Sequence, residues 1–310
     1  MPPGAEPKAT FLQQIAAWLV ARPYHAVLGL SLTLVLPFGQ IFSGAAMVML
    51  VLKGGAAMAA LQGLMALAVL AMLSLISKAS LPGILISGLF AWLPVFLLAW
   101  LLRQSRSLIL TMQVSAILAM AVTLGFYGVV DDSSAYWMAV LTEVADAFKG
   151  MGLTELARLI VAQKEFIAPQ MTMLTVLTSW SLTVLVMVLG YAMYQALPDR
   201  KGEFGRFCDL RFGRVLTITL AVISVLALFI GAEWIQNFAF VVFAIFWLQG
   251  LSVMHWLHEV GPLPFIVLIV LYAMLMLPFL TALLVIALAV LGYTDAWFDY
   301  RARVGRHKAR

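Results

Sequence analysis

Apolar positions along this chain arrive mainly as long unbroken runs, not as alternations. Residues 56–77, 81–102 and 107–130 form three of them, each of about 22 to 24 residues. At 1.5 Å per residue a helix of that length crosses a hydrocarbon core of roughly 30 Å. Runs of the same kind occupy 171–196, 215–232 and 238–257. Two further runs, 24–52 and 263–293, are just as apolar but interrupted, the first at Pro37-Phe38-Gly39-Gln40 and the second at Pro278. Each is either one kinked crossing or a hairpin of two short segments.

Two stretches have helical amphipathicity instead. Phe11, Ile15, Trp18 and Leu19 make an apolar stripe ended by Arg22-Pro23. That predicts an interfacial helix or an extension of the first span. Between 131 and 170, Asp131-Asp132-Ser133-Ser134 offers oxygen side chains to start a helix. Trp137, Leu141, Val144 and Phe148 then share a stripe, and after Gly150 and Gly152 a second piece runs through Leu156, Leu159 and Ile160 to Pro169. Two interfacial helices fit this stretch better than a span.

Composition narrows the class. The 310 residues are 64% hydrophobic and 11% charged, with a mean hydropathy of +1.04, whereas soluble domains carry about 25% charged residues. The fold class expected is all-α: one polytopic transmembrane helix bundle of about eight to ten membrane segments. A transmembrane barrel would show alternating segments of about ten residues. The net charge of +5 implies no nucleic-acid partner, because Lys and Arg gather in the cytoplasmic loops of membrane proteins. A single cysteine, Cys208, excludes an intrachain disulfide. The polar, proline-rich first residues lack the form of a cleavable signal.

Charge also bears on topology. If each broken run crosses once, there are eight spans, with eleven Lys/Arg on the cytoplasmic side and eight outside. If each is a hairpin, there are ten segments, and fifteen of the nineteen are cytoplasmic. Only Lys78, Lys149, Arg158 and Lys164 then lie outside. The positive-inside rule favours the second count. It places the tail and interfacial helix of 1–22, the charged loop of 197–214 and the basic tail of 294–310 in the cytoplasm, with 131–170 outside.

Candidate chemistry is sparse. Broken helices expose half-helix ends and free backbone groups that bind solutes near the midplane. This makes Phe38, Gly39, Gln40 and Ser43, with Gln62, Pro278 and Thr281, the candidate solute-binding residues. Phe204, Phe207 and Arg211 recur at helical spacing, so the loop is either an amphipathic helix with Phe on lipid and Arg206, Arg211 and Arg214 on anionic headgroups or, the favoured reading, a solvated charge run that sets orientation. Asp209 belongs to the same loop motif. Asp295, Asp299 and Arg301 in the tail have the same belt character, and either aspartate is positioned to pair with a loop arginine. His255, His258 and Glu259 lie at a span end without a further metal-ligand set, so no metal is expected. No nucleophile, phosphate-binding or dinucleotide motif is present. No enzyme activity and no cofactor are expected.

The run Gly205-Arg-Phe-Cys-Asp-Leu-Arg-Phe-Gly-Arg214 and the closing Leu291-Gly-Tyr-Thr-Asp-Ala-Trp-Phe-Asp-Tyr-Arg301 resemble the YybS-like family of bacterial membrane proteins, over essentially the whole chain. The resemblance implies a bacterial cytoplasmic (inner) membrane protein of unestablished activity. That family is distantly similar to the S components of energy-coupling-factor transporters and to the rod-shape protein MreD. The expectation is a solute-binding, transport-related membrane subunit. With no ATP-binding motif, any ATP-driven transport needs a separate ATPase or membrane partner. The alternative is an MreD-like scaffold that organises envelope proteins.

Overall fold

The structure, a computed structural model, describes residues 10–77, 80–198, 200, 202–260 and 263–302. Expectations resting on residues 1–9, on Lys78 and Lys201 and on the basic tail beyond Ala302 lie outside the described residues. The described residues form helices and contain no strand. Seven helices are long and apolar enough to cross a membrane, or eight if one bent pair counts as a span. The chain is an all-α, polytopic helical bundle. The chain divides into two compact units, Met1–Met112 with Ser181–Arg206 and Gln113–Trp180 with Phe207–Arg310.

In the first unit, α1 (Phe11–Ala21) opens on a capping box in which Thr10 and Gln13 exchange side-chain-to-backbone hydrogen bonds. This satisfies amides that a helix start leaves free. Pro23, which has no N–H to lose, begins α2 (Pro23–Val35). The chain turns by 119° there, so α1 does not continue the axis of α2. Phe38, at φ 58°, then turns the chain into α3 (Gly39–Gly54). The Ser43 hydroxyl donates to the Leu30 carbonyl of α2 at 2.8 Å. Thirteen residues of continuous helix would hold those groups about 20 Å apart. The first broken run is therefore a hairpin. Gly39 suits its fold, because a Cβ there would collide with the Thr33 carbonyl.

Helix α3 is the core of this unit, buried at every residue from Ser43 to Leu52. Around it pack α2, α4 (Ala56–Ser77) and α5 (Leu81–Ser105). The C-terminal half of α9 (Met171–Gln195) completes the shell, with Gly190 against Val48 and Val186 against Gly44. Arg103, near the end of α5, donates to the Val51 and Leu52 carbonyls at 3.1 and 2.7 Å. These carbonyls lie in the last turn of α3, where intrahelical partners run out.

The second unit holds α6 (Leu108–Val129) from Gln113 onward, α7 (Ser133–Gly150), α8 (Thr154–Ile167) and the N-terminal half of α9. It continues with α10 (Gly213–Ile230), α11 (Glu233–Val260), α12 (Phe265–Leu275) and α13 (Pro278–Phe298). Most of α11 from Phe238 to Val253 is buried. Helix α13 packs on it where Gly250 and Gly292 bring the two backbones together, each glycine lying against the other helix's main chain. Small residues at the contact permit such an approach between membrane helices.

Three expectations change in this unit. The second broken run does not divide into two matched short helices. The break falls before Pro278, α12 has 11 residues and α13 has 21, reaching Phe298. Helix α13 therefore extends into the stretch read as tail from 294. The loop before α10 forms only a 3-10 turn, Phe207–Asp209, not an amphipathic helix. Gly202, Gly205 and Gly213 all adopt positive φ there, at 69°, 99° and 79°, which a right-handed helix cannot accommodate.

The third concerns the end of 131–170: both expected helices form, as α7 and α8, but the second does not stop at Pro169. Helices α7 and α8 pair in a hairpin, with Lys164 donating to Thr142 at 3.2 Å, and Trp137 of α7 donates to Thr172 at the start of α9 at 2.7 Å. A 3-10 turn, Ala168–Gln170, carries α8 into α9, so Thr154–Gln195 is one run of 42 residues. Pro169 sits in the first positions of that turn, where its missing donor breaks nothing. Its carbonyl accepts from Asn237 at 2.7 Å, and Asn237 also donates to the Tyr127 hydroxyl. Pro169 is thus level with the end of α6 and the start of α11. Helix α8 precedes that turn with 14 residues, about 21 Å of helix.

Candidate functional site

Where α6, α7, α10 and α11 meet, the chain makes two tight reversals. Helix α6 stops at Val129, and Asp132 caps α7 by accepting from the Ala135 N–H at 2.8 Å. Helix α10 ends on Gly231, at φ 65°, and α11 starts at Glu233. Between these turns lies an open cleft of about 570 Å³, lined by Leu124, Tyr127, Asp131, Ser133, Glu233 and Trp234 among others. Its lining residues include three acids, two serines, a tyrosine and a tryptophan. Sequence reading missed the cleft, although its signals were in place as Asp131-Asp132-Ser-Ser and Glu233-Trp234. They lie about 100 residues apart, and nothing in the sequence says that α6 and α11 are neighbours.

A polar network of the same unit lies at the other end of α10, built around Arg301. Arg301 Nη1 donates to the Cys208 carbonyl at 2.8 Å and to Ser252 Oγ at 3.4 Å. Nη2 donates to the Leu210 carbonyl at 2.9 Å and to Asp295 Oδ2 at 2.7 Å. Gln249 joins in, donating to Asp295 at 3.0 Å and accepting from the Phe212 N–H at 2.8 Å. Both ions of the pair are only 3% exposed. Asp295 and Arg301, read from the sequence as groups meeting lipid or a partner, are thus internal. A charge at a span end looks like belt chemistry unless the chain is seen to fold back over it.

The other charged candidates of the loop and tail are less buried. Arg211 pairs with Asp299 at 3.1 Å, one of the two pairings expected from the sequence. Burial pushes the Asp299 carboxyl up, but Arg211, the Ala302 N–H and the charge of Arg301 outweigh it and hold the group below its usual range. Arg206 and Arg214 are exposed and Asp209 ends the 3-10 turn. Phe204, expected on lipid, is buried against Tyr191 and Tyr194 in the first unit.

Glu203 is the hub of that first-unit cluster. It takes the Tyr194 hydroxyl proton donor, Arg200 at 3.1 Å and Arg106 at 3.1 Å. The Tyr194 hydrogen bond holds its carboxyl below the ordinary range, burial works against this, and Arg200 and Arg106 add to it. A carboxylate with a lowered pKa contributes stability above its unfolded pKa and loses it as pH falls through the folded one. Amide protection at residues 202–206 is therefore expected to fall only below the normal glutamate range. In Glu203→Gln it should be low at every pH. Hydrogen exchange checks this, and equal protection profiles for the two proteins would refute it.

The residues at the proline breaks divide between the units. In the first, Phe38 is 82% exposed, Gln40 is exposed on the opening turn of α3, and Gln62 is half-buried on α4. Ser43 is buried, and besides donating to Leu30 it accepts from Trp92 Nε1 at 2.9 Å. In the second, Pro278 opens α13, and the Thr281 hydroxyl donates to the Leu275 and Leu277 carbonyls. Both hydroxyls are engaged by the protein's own backbone. His255 contacts the Tyr272 hydroxyl at 2.7 Å and His258 donates to the Leu263 carbonyl at 3.0 Å. Among the described residues no group of three or more His, Cys, Asp or Glu is placed to hold a metal ion. Comparison of the chain with protein-family models, curated proteins and solved structures returned no match.

Proposed function

We propose that this polytopic helical bundle is a non-enzymatic solute-binding subunit of a bacterial inner-membrane transport system, as its resemblance to the S-component relatives implies. The observation that carries the reading is the cleft between α6, α7 and α11. Its volume of about 570 Å³ lies within the roughly 300–1,000 Å³ of small-molecule sites. Carboxylates of Asp131 and Glu233 beside the Tyr127 and Trp234 rings suit a small solute with a positive charge, since ring faces and anions both attract cations. The 18 residues of α10 separate this acidic end from the basic 211–214 end by about 27 Å. That charge asymmetry is what the positive-inside rule asks of a cleft on the outer face.

The test is mass spectrometry of the denatured, purified protein for a retained small cation, followed by thermal stabilisation with the compound found. Asp131→Asn with Glu233→Gln is expected to lower retention at least tenfold while leaving the Asp132 cap intact. A ligand-free preparation, or retention unchanged in the double variant, would remove the reading. The scaffold alternative is favoured by a different observation, the α7–α8 hairpin, which leaves Leu156, Leu159 and Phe166 exposed.

A further inference from the structure

Tyr127 stands in the cleft wall with the direction of its hydroxyl bond already decided. Asn237 of α11, only 8% exposed, holds its Nδ2 at 2.7 Å from the Pro169 carbonyl and at 2.8 Å from the Tyr127 hydroxyl. The oxygen and nitrogen of a side-chain amide are told apart by their partners. A carbonyl oxygen can only accept, so the atom facing Pro169 is the nitrogen. The same nitrogen meets Tyr127, and an amide NH2 can only donate. The phenol oxygen is therefore the acceptor of that bond, and its own proton must be given elsewhere. Among the described residues none takes it.

Tyr127 lines the cleft together with Asp131, Asp132 and Glu233. Asp132 is committed to the Ala135 N–H, and Glu233 accepts from the Ser134 hydroxyl at 3.5 Å. The wall thus combines carboxylates with one donor fixed in its sense, and the two ask different things of a ligand. Carboxylates attract a positive charge. A phenol O–H needs a lone pair, and a ligand that covers it without supplying one forfeits a hydrogen bond that water had made. The group with the lone pair should be uncharged, because a second anion would be repelled by Asp131 and Glu233.

We propose that the solute is an oxygen-bearing amine, an ammonium joined by a short chain to a neutral hydroxyl, ether or carbonyl oxygen. Asp131 and Glu233 hold the ammonium, and the oxygen accepts from Tyr127. Asn237 is the positioning residue that keeps Tyr127 a donor. The inference rests on the solute-binding reading of the cleft and narrows it from a cation to a class of cation.

The experiment compares ethanolamine with propylamine, which carries the same charge and has a methyl group in place of the hydroxyl. Affinities come from the concentration dependence of the unfolding temperature of the full-length protein in detergent micelles. Ethanolamine is expected to bind about tenfold more tightly, the worth of one hydrogen bond whose donor the analogue leaves unpaired. Tyr127→Phe keeps the ring and should bring the two affinities together. Glycine, which pairs its ammonium with a carboxylate, should bind more weakly than ethanolamine. Equal affinities for the two amines in the unsubstituted protein, or a difference that survives Tyr127→Phe, would overturn the proposal and leave the cation reading standing. Glycine binding more tightly than ethanolamine would overturn the neutral oxygen. Stabilisation by neither amine would remove the cation reading, and this inference with it. The comparison of the two amines requires no substitution, so it is decisive even where Tyr127→Phe fails to fold.

Discussion

Replacing Arg301 with methionine is expected to destabilise the folded protein by about 3–5 kcal/mol, the usual cost of removing one partner from a buried ion pair. The loss is not chiefly that of an attraction. Arg301 supplies donors to the Cys208 and Leu210 carbonyls and to Asp295. Without it, Asp295 remains as a buried carboxylate with one amide contact from Gln249, the Cys208 carbonyl loses the guanidinium, and the Leu210 carbonyl keeps the Ser252 hydroxyl at 3.3 Å. Arg301→Lys should fall between, because an ammonium cannot reproduce the planar fork that reaches several acceptors at once. Arg301→Met combined with Asp295→Leu should recover much of the loss, since apolar replacement of both members of a buried pair is often neutral. Denaturant titration in detergent micelles measures all three. A double variant no more stable than Arg301→Met would show that the stranded carboxylate is not the cause.

The second large effect is expected where α11 and α13 touch. A methyl group at Gly250 would collide with the Leu288 carbonyl, and one at Gly292 with the Phe246 carbonyl. These obstacles are backbone atoms and cannot swing aside, so the helices must separate. Gly250→Ala and Gly292→Ala are each expected to cost about 1–3 kcal/mol, the range for overpacking a filled interior, and larger side chains more. Gly128 in α6 is the control. No atom lies within 4 Å of a Cβ placed there, and Gly128→Ala should be neutral or stabilising by up to about 1 kcal/mol, from helix propensity alone. The same denaturant titration separates the outcomes. Equal effects at the three glycines would mean that propensity, not contact, sets them.

The spans were legible in the sequence because membrane helices are set by a length of apolar residues, which local composition reports. So were the stops that depend on one residue, such as Pro23, the turn at Pro37-Phe38 and the Asp132 cap. What the sequence misjudged depended on neighbours distant along the chain. Phe204, Phe207 and Arg211 have helical spacing, but the glycines between and after them take positive φ and the helix never forms. Pro169 looked like a terminator, yet in the opening turn of the next segment it removes a donor that has no partner to lose. Asp295 and Arg301 looked like interfacial charges because their mutual burial requires the chain after Phe298 to turn back. Asp299 adopts a left-handed conformation at that point, a feature that aspartate tolerates but does not announce. The cleft was hidden for a similar reason, since its carboxylates meet only through tertiary structure.

The position of Cys208 gives the molecule a clock. Its thiol is 2% exposed and contacts Glu259 at 3.2 Å, while its carbonyl is held by Arg301. An alkylating reagent can reach the sulfur only in molecules where that segment has lifted. When closing is faster than alkylation, the labelling rate divided by that of a free thiol equals the fraction of time spent open. The tail's hold on the loop can therefore be read as a rate, in intact membranes, from the one sulfhydryl that the chain already carries.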